Sequence, residues 1–181
     1  MGGMIRNAFI RLVSGAGILG LAFGCASAAA PVIVPGTGEA TITRGALRAI
    51  EARWRDVDLG RPPASACAGT AETSAPLVRG DFNGDGLEDV ALWIVAGGTP
   101  HLVAALAMLD GRATAVEVGD PATLDGGAAL EVGPRGTAYR TSSLTIDFFY
   151  GADTVVTRAC DGSRTAWFWT GGSFGRQSLA S

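Results

Sequence analysis

Lysine is absent from this chain: all 14 basic residues are arginines, against 17 acidic ones, for a net charge of −3. No basic patch of the kind nucleic-acid binding requires is present, so that function class is excluded. The missing lysine, alongside the abundance of Ala and Gly, reflects genome composition rather than function. Histidine occurs once, as His101. One imidazole at a strand start beside Pro100, with no activated nucleophile to name for it, supports no catalytic constellation, and His101 is expected to be a surface side chain. Cysteine is scarce too, at three residues. Cys67 and Cys160 have no histidine nearby, which excludes a zinc site.

What is present begins with an export signal. Arg6 and Arg11 form a sparse positive region, an uncharged run covers residues 12–24, and Ala26-Ser27-Ala28 supplies a small-x-small cleavage pattern. Residues 1–28 are therefore expected to be a signal peptide and the mature chain to be periplasmic or extracellular. Lipidation of Cys25, giving an outer-membrane lipoprotein, is the alternative, although Ala22 stands where such proteins usually carry Leu. A membrane span needs ~20 apolar residues, and Gly-rich sequence with Pro31 disfavours one, so no transmembrane segment is expected in the mature chain. In an oxidising compartment Cys67 and Cys160 are expected to pair. Closing a loop of about ninety residues would contribute roughly 4–5 kcal/mol in the chain-entropy picture.

Residues 29–43 read as a linker, broken by Pro35-Gly36-Thr37-Gly38, and residues 44–181 as a single domain. A helix is expected after the N-cap Thr43, with Leu47, Ile50 and Trp54 on its core face. Residues 64–75 read as a loop. Residues 90–95 form an apolar run suited to a buried strand. Asp110-Gly111 and Asp161-Gly162 mark two hairpins, joining residues 102–109 to 114–118 and 154–160 to 164–169, and Gly171-Gly172 turns into residues 174–178. Residues 120–136, with four glycines and two prolines, read as an irregular loop. Leu144, Ile146 and Phe148 alternate as in a half-buried strand. The expected fold class is α+β: an antiparallel meander of about seven strands with one N-terminal helix packed on one face.

The stretch Asp81-Phe82-Asn83-Gly84-Asp85-Gly86-Leu87-Glu88-Asp89 carries the most chemistry. Asp81, Asn83, Asp85 and Asp89 place oxygen side chains at loop positions 1, 3, 5 and 9, and Leu87 offers its backbone carbonyl at position 7. Gly84 and Gly86 permit a turn tight enough for those oxygens to converge on a hard cation, calcium by preference. The three expected ligand carboxylates, Asp81, Asp85 and Asp89, repel one another without one. Glu88 is expected to point elsewhere or to act through water. An EF-hand needs an acid at position 12, which here is Leu92 inside the apolar run, so a helix–loop–helix is excluded.

From Gly80 to Leu92 the chain resembles the calcium-binding loop of FG-GAP and VCBS repeats, matching Gly80, Asp81, Phe82, Asn83, Gly84, Asp85, Gly86 and Asp89. The resemblance implies calcium held between two strands with Phe82 tucked beneath. Only one copy is present, whereas a propeller needs at least about four blades, so the loop belongs to another small fold. The chain is also similar, more loosely, to small secreted bacterial proteins of unknown function, through Ala166-Trp167-Phe168-Trp169 and Gly172-Ser173-Phe174.

Other motifs fail on context. The glycine fingerprint of residues 15–20 lies in the signal segment, the G-x-S-x-G of residues 171–175 has no following histidine, and Arg79-Gly80-Asp81 is a chance tripeptide. In the aromatic strand, Trp167 and Trp169 share one face and Phe168 takes the other; core on both faces is the expectation, and an exposed face would mark a partner. No catalytic residue is named. The expected function is a calcium-stabilised, non-catalytic domain binding a protein or glycan of the envelope, with an exported hydrolase or a periplasmic enzyme inhibitor as alternatives.

Overall fold

A computed structural model of the chain describes residues 30–34, 40–59, 75, 77–119, 129–141 and 148–180. The signal segment with Cys25, the loop around Cys67 up to residue 74, and Leu144 and Ile146 of the expected strand lie outside those residues. The fold is α+β and mostly antiparallel, with a single helix and several sheets.

Helix α1 (Arg44–Arg53) starts where expected: the Thr43 hydroxyl accepts the Ala46 N–H at 3.1 Å, which satisfies one of the free donors of the first turn. It stops at Trp54, which is extended. Ile50 is fully buried, and Leu47 and Trp54 pack partly buried against the same core.

The residues expected to be a linker contribute structure. Strands β1 (Val32–Ile33) and β2 (Thr41–Ile42) pair antiparallel, and Val34 and Ile42 are buried in the core under the helix. Their β-branched side chains have apolar surface to cover, and burying it draws both strands into the core.

The larger sheet is built on β5 (Asp89–Ala96), the expected apolar strand. Along one side it pairs with two short strands set end to end, β3 (Val57–Leu59) against residues 94–96 and β4 (Leu77–Gly80) against residues 89–92. On the other side runs β6 (Thr99–Ala107), which the Asp110-Gly111 turn joins to β7 (Ala113–Gly119). The smaller sheet has the order β13-β12-β11-β8, from β8 (Ala129–Gly133), β11 (Thr154–Arg158), β12 (Arg164–Trp169) and β13 (Phe174–Leu179). Strands β9 (Ala138–Tyr139) and β10 (Phe148–Phe149) form a separate pair. Strand β8 lies inside the segment read as an irregular loop; its glycines hid the alternation of Leu130 and Val132, which face the interlayer core.

Three layers result. Leu92 and Ile94 of β5 and Val103 of β6 face α1, whereas Ala91 and Trp93 of β5 and Leu102 of β6 face Val155 and Trp167 of the smaller sheet. Strand β5 is thus apolar on both faces because both are covered. Trp167 is 4% exposed, and its indole N–H donates to the Thr157 hydroxyl at 3.0 Å, so its ring donor is not left unpaired. Trp169 packs at the edge of the same core, and Phe168, on the opposite face, stacks on Tyr150 with ring centroids 4.8 Å apart. Both faces of the aromatic strand therefore have packing partners.

Because Trp93 fills the space between the two sheets, Trp93→Ala should lower the unfolding free energy by roughly 3–5 kcal/mol. Leu109→Ala, at a side chain 93% exposed, should change it by less than about 0.5 kcal/mol. Urea denaturation of the two variants measures both.

Candidate metal centre

Residues 81–88 form the connection between β4 and β5, two strands already paired side by side. Gly84 and Gly86 sit at φ 78° and 83°, the left-handed region in which a side chain is strained. Gly80, just before the loop, answers a different need. A Cβ there would lie 2.9 Å from both the Phe82 ring and an Asp153 carboxylate oxygen, so only glycine lets these three groups meet.

Phe82 is fully buried between the two sheets and anchors the loop from below. Asp89 anchors it from the side. One of its oxygens accepts the Phe82 N–H at 2.9 Å and the other accepts the Ala107 N–H of β6 at 2.7 Å. Asp89 is 1% exposed, and burial pushes its pKa up from 3.8 to about 6, against the pull of the backbone N–H groups it accepts.

Sequence reasoning missed Asp153. Its carboxylate accepts the Asp81 N–H at 2.9 Å and the Arg135 N–H at 2.8 Å, while its own N–H donates to the Asp81 carbonyl at 3.0 Å. These bonds tie the loop to the smaller sheet. Asp81 and Asp153 lie 72 positions apart, a pairing for which a single sequence carries no local signal.

The remaining loop oxygens divide into two groups. Asn83 and Asp85 turn onto their own backbone: Asn83 Oδ1 accepts the Asp85 N–H, Asp85 Oδ1 accepts the Leu87 N–H, and Asn83 Nδ2 donates to Asp85 Oδ2 at 2.8 Å. Asp81 Oδ2 accepts the Gly86 N–H at 3.0 Å. Asp81 Oδ1 is buried and has no hydrogen-bond partner. Glu88 turns out of the loop to Arg79 at 2.8 Å.

Among the described residues, no three His, Cys, Asp or Glu side chains stand together as a ready metal cluster. The expected ligand set has only three carboxylates, Asp81, Asp85 and Asp89, and draws its other oxygens from the Asn83 amide and the Leu87 carbonyl. The one feature here that favours a cation is Asp81 Oδ1. An anionic oxygen buried without a partner carries a desolvation cost that a cation would remove.

His101 departs from the surface placement expected of it. Its side chain is 18% exposed, its Nδ1 lies 2.8 Å from Glu117 Oε1, and its ring lies 6.1 Å from that of Trp54. The β6–β7 register brings Glu117 alongside, with an irregularity at Leu102/Val103.

Comparison with known proteins gives no match: no family model, no curated protein and no solved structure corresponds to this chain.

The raised pKa of Asp89 carries a pH dependence. The folded protein holds a proton that the unfolded chain releases above about pH 4, so the contribution of Asp89 is complete below 3.8 and is lost as the pH rises through about 6. A shift of this size corresponds to something on the order of 2–3 kcal/mol. In chelator, the stability difference between the wild type and Asp89→Asn should therefore shrink from pH 4 to pH 7.5. A difference that stays constant across that range contradicts this assignment.

Proposed function

We propose that this chain is an exported, calcium-stabilised, non-catalytic domain that binds a protein or glycan of the bacterial envelope. The observation that carries the calcium reading is the unpartnered, buried Oδ1 of Asp81 within a loop of acids. Asp81, Asn83, Asp85, the Leu87 carbonyl and Asp89 would hold the ion. Calcium would supply the positive charge that three carboxylates in one turn otherwise lack. Each engaged oxygen keeps a second lone pair for it.

The position of the loop supports a structural role. Its backbone is bound to β6 through Asp89 and to the approach to β11 through Asp153. An ion in the loop would therefore reinforce a junction between the two sheets rather than open a reaction site. His101 is paired with one acid, Glu117, and packed against Trp54, an arrangement better suited to holding strands together than to hydrolysis.

Extracellular calcium modules bind with Kd of roughly 10⁻⁴ to 10⁻³ M. In about 2 mM calcium the linkage relation then gives a stabilisation of about 0.6–1.8 kcal/mol, or about 2–7 °C in Tm for a domain of this size. Melting curves in calcium and in EDTA should show that shift, and Asp81→Ala and Asp85→Ala should abolish it. Identical melting in the two conditions would sink the calcium reading. A Cys67–Cys160 bridge belongs to the same proposal: intact-mass measurement after alkylation should show no added label on either cysteine until a reductant is supplied, and labelling without reductant argues against the bridge.

A further inference from the structure

The first turns of α1 press against the β6–β7 turn. A Cβ on Gly45 would collide with the Gly111 carbonyl oxygen, so glycine at this position permits the approach. Between them lies a cleft of about 390 Å³ lined by the arginines 44, 48 and 112 together with Gly45, Ala49 and Gly111. Arg112 is held by Asp110 at 2.6 Å. Arg44 and Arg48 are exposed and have no acidic partner among the described residues.

This arrangement works against the helix that carries it. The first turn of α1 contains no acid; Arg44 instead sets a positive charge at the positive end of the helix dipole. Arg44 and Arg48, four residues apart, also repel each other. A chain with net negative charge has thus gathered three guanidiniums around one concavity, and counting Asp110 the corner remains cationic by two. Guanidinium forks match phosphate oxygens in geometry and charge.

The same turn carries the most exposed large apolar side chain of the described residues. Leu109 is 93% exposed and its neighbour Met108 is 41% exposed. The turn that presents them is closed by the Met108 N–H to the Arg112 carbonyl and the Gly111 N–H to the Met108 carbonyl, both 2.9 Å. An apolar tip next to a cationic cleft is how a peripheral protein meets a bilayer, with side chains entering the acyl boundary and basic groups on the headgroups. A free phosphate would use the arginines and leave Leu109 without a role.

We infer that this corner docks on an anionic lipid surface, with the cleft taking a headgroup phosphate and Leu109 entering the interface. The inference stands apart from the calcium reading and is tested in EDTA, so calcium bridging contributes nothing. The exported protein is titrated with vesicles of phosphatidylglycerol in phosphatidylcholine and with vesicles of phosphatidylcholine alone. Binding should require the anionic lipid. Arg44→Gln and Arg48→Gln should each weaken it about fivefold, and Leu109→Ser about tenfold. Arg44→Glu should bind least of the Arg44 variants while melting no lower than the wild type, since it places an acid where the helix favours one; this separates lost binding from lost folding. Three results overturn the inference: no vesicle binding, equal binding to both vesicle types, or saturable binding of inorganic phosphate without binding to vesicles.

Discussion

The carboxylate of Asp89 opens a strand whose remaining residues face two hydrophobic layers, and much of the loop's architecture is arranged around keeping it satisfied. Burial alone would drive it from the core. It stays because Phe82 and Ala107 each donate a backbone N–H to it, and those two donors come from different places, the loop before β5 and the end of β6. One side chain thereby joins three segments. Phe82, whose N–H is one of the donors, also plugs the space between the sheets. The polar tie and the apolar anchor act on adjacent atoms of the same residue, which explains how a loop of glycines and acids can be held in one conformation.

A second carboxylate ties the loop from the opposite direction. Asp153 precedes β11 and accepts the Asp81 N–H, so Asp81, at the start of the loop, is held by the smaller sheet, whereas Asp89, at its end, is held by the larger one. In the proposed reading, an ion bound between them draws on both layers at once. Its contribution would then exceed that of a cation closing an isolated hairpin, and the unpartnered Asp81 oxygen is the atom at which that contribution enters.

Local chemistry was legible in the sequence where a short stretch decides the outcome. Thr43 caps α1, Asp110-Gly111 and Asp161-Gly162 turn their hairpins, and the apolar residues after Asp89 form a strand buried on both faces. Features set by distant partners were not. Strands β1 and β2 fall where Pro-Gly punctuation outweighs four residues of weak pattern; burial of Val34 and Ile42 in the core with the helix reverses that balance. Strand β8 was hidden among glycines and takes its place from pairing with β11. The stacking of two sheets brings Trp93 and Trp167 into one interlayer core, and the roles of Asp153 and Glu117 depend on register, which a single chain does not display. Gly80 was legible as part of a motif, while the reason for it, close approach of Asp153 and Phe82, is purely tertiary.

In the proposed reading the buried Asp81 oxygen is matched to a cation. A crystal structure determined in millimolar calcium, with anomalous scattering to identify the ion, tests it most directly. A calcium should appear in the loop with Asp81 Oδ1 in its shell at roughly 2.3–2.6 Å, alongside oxygens of Asn83, Asp85, Leu87 and Asp89. A loop that keeps the hydrogen bonds described above, with Asp81 Oδ1 still buried and no anomalous peak beside it, would contradict the account.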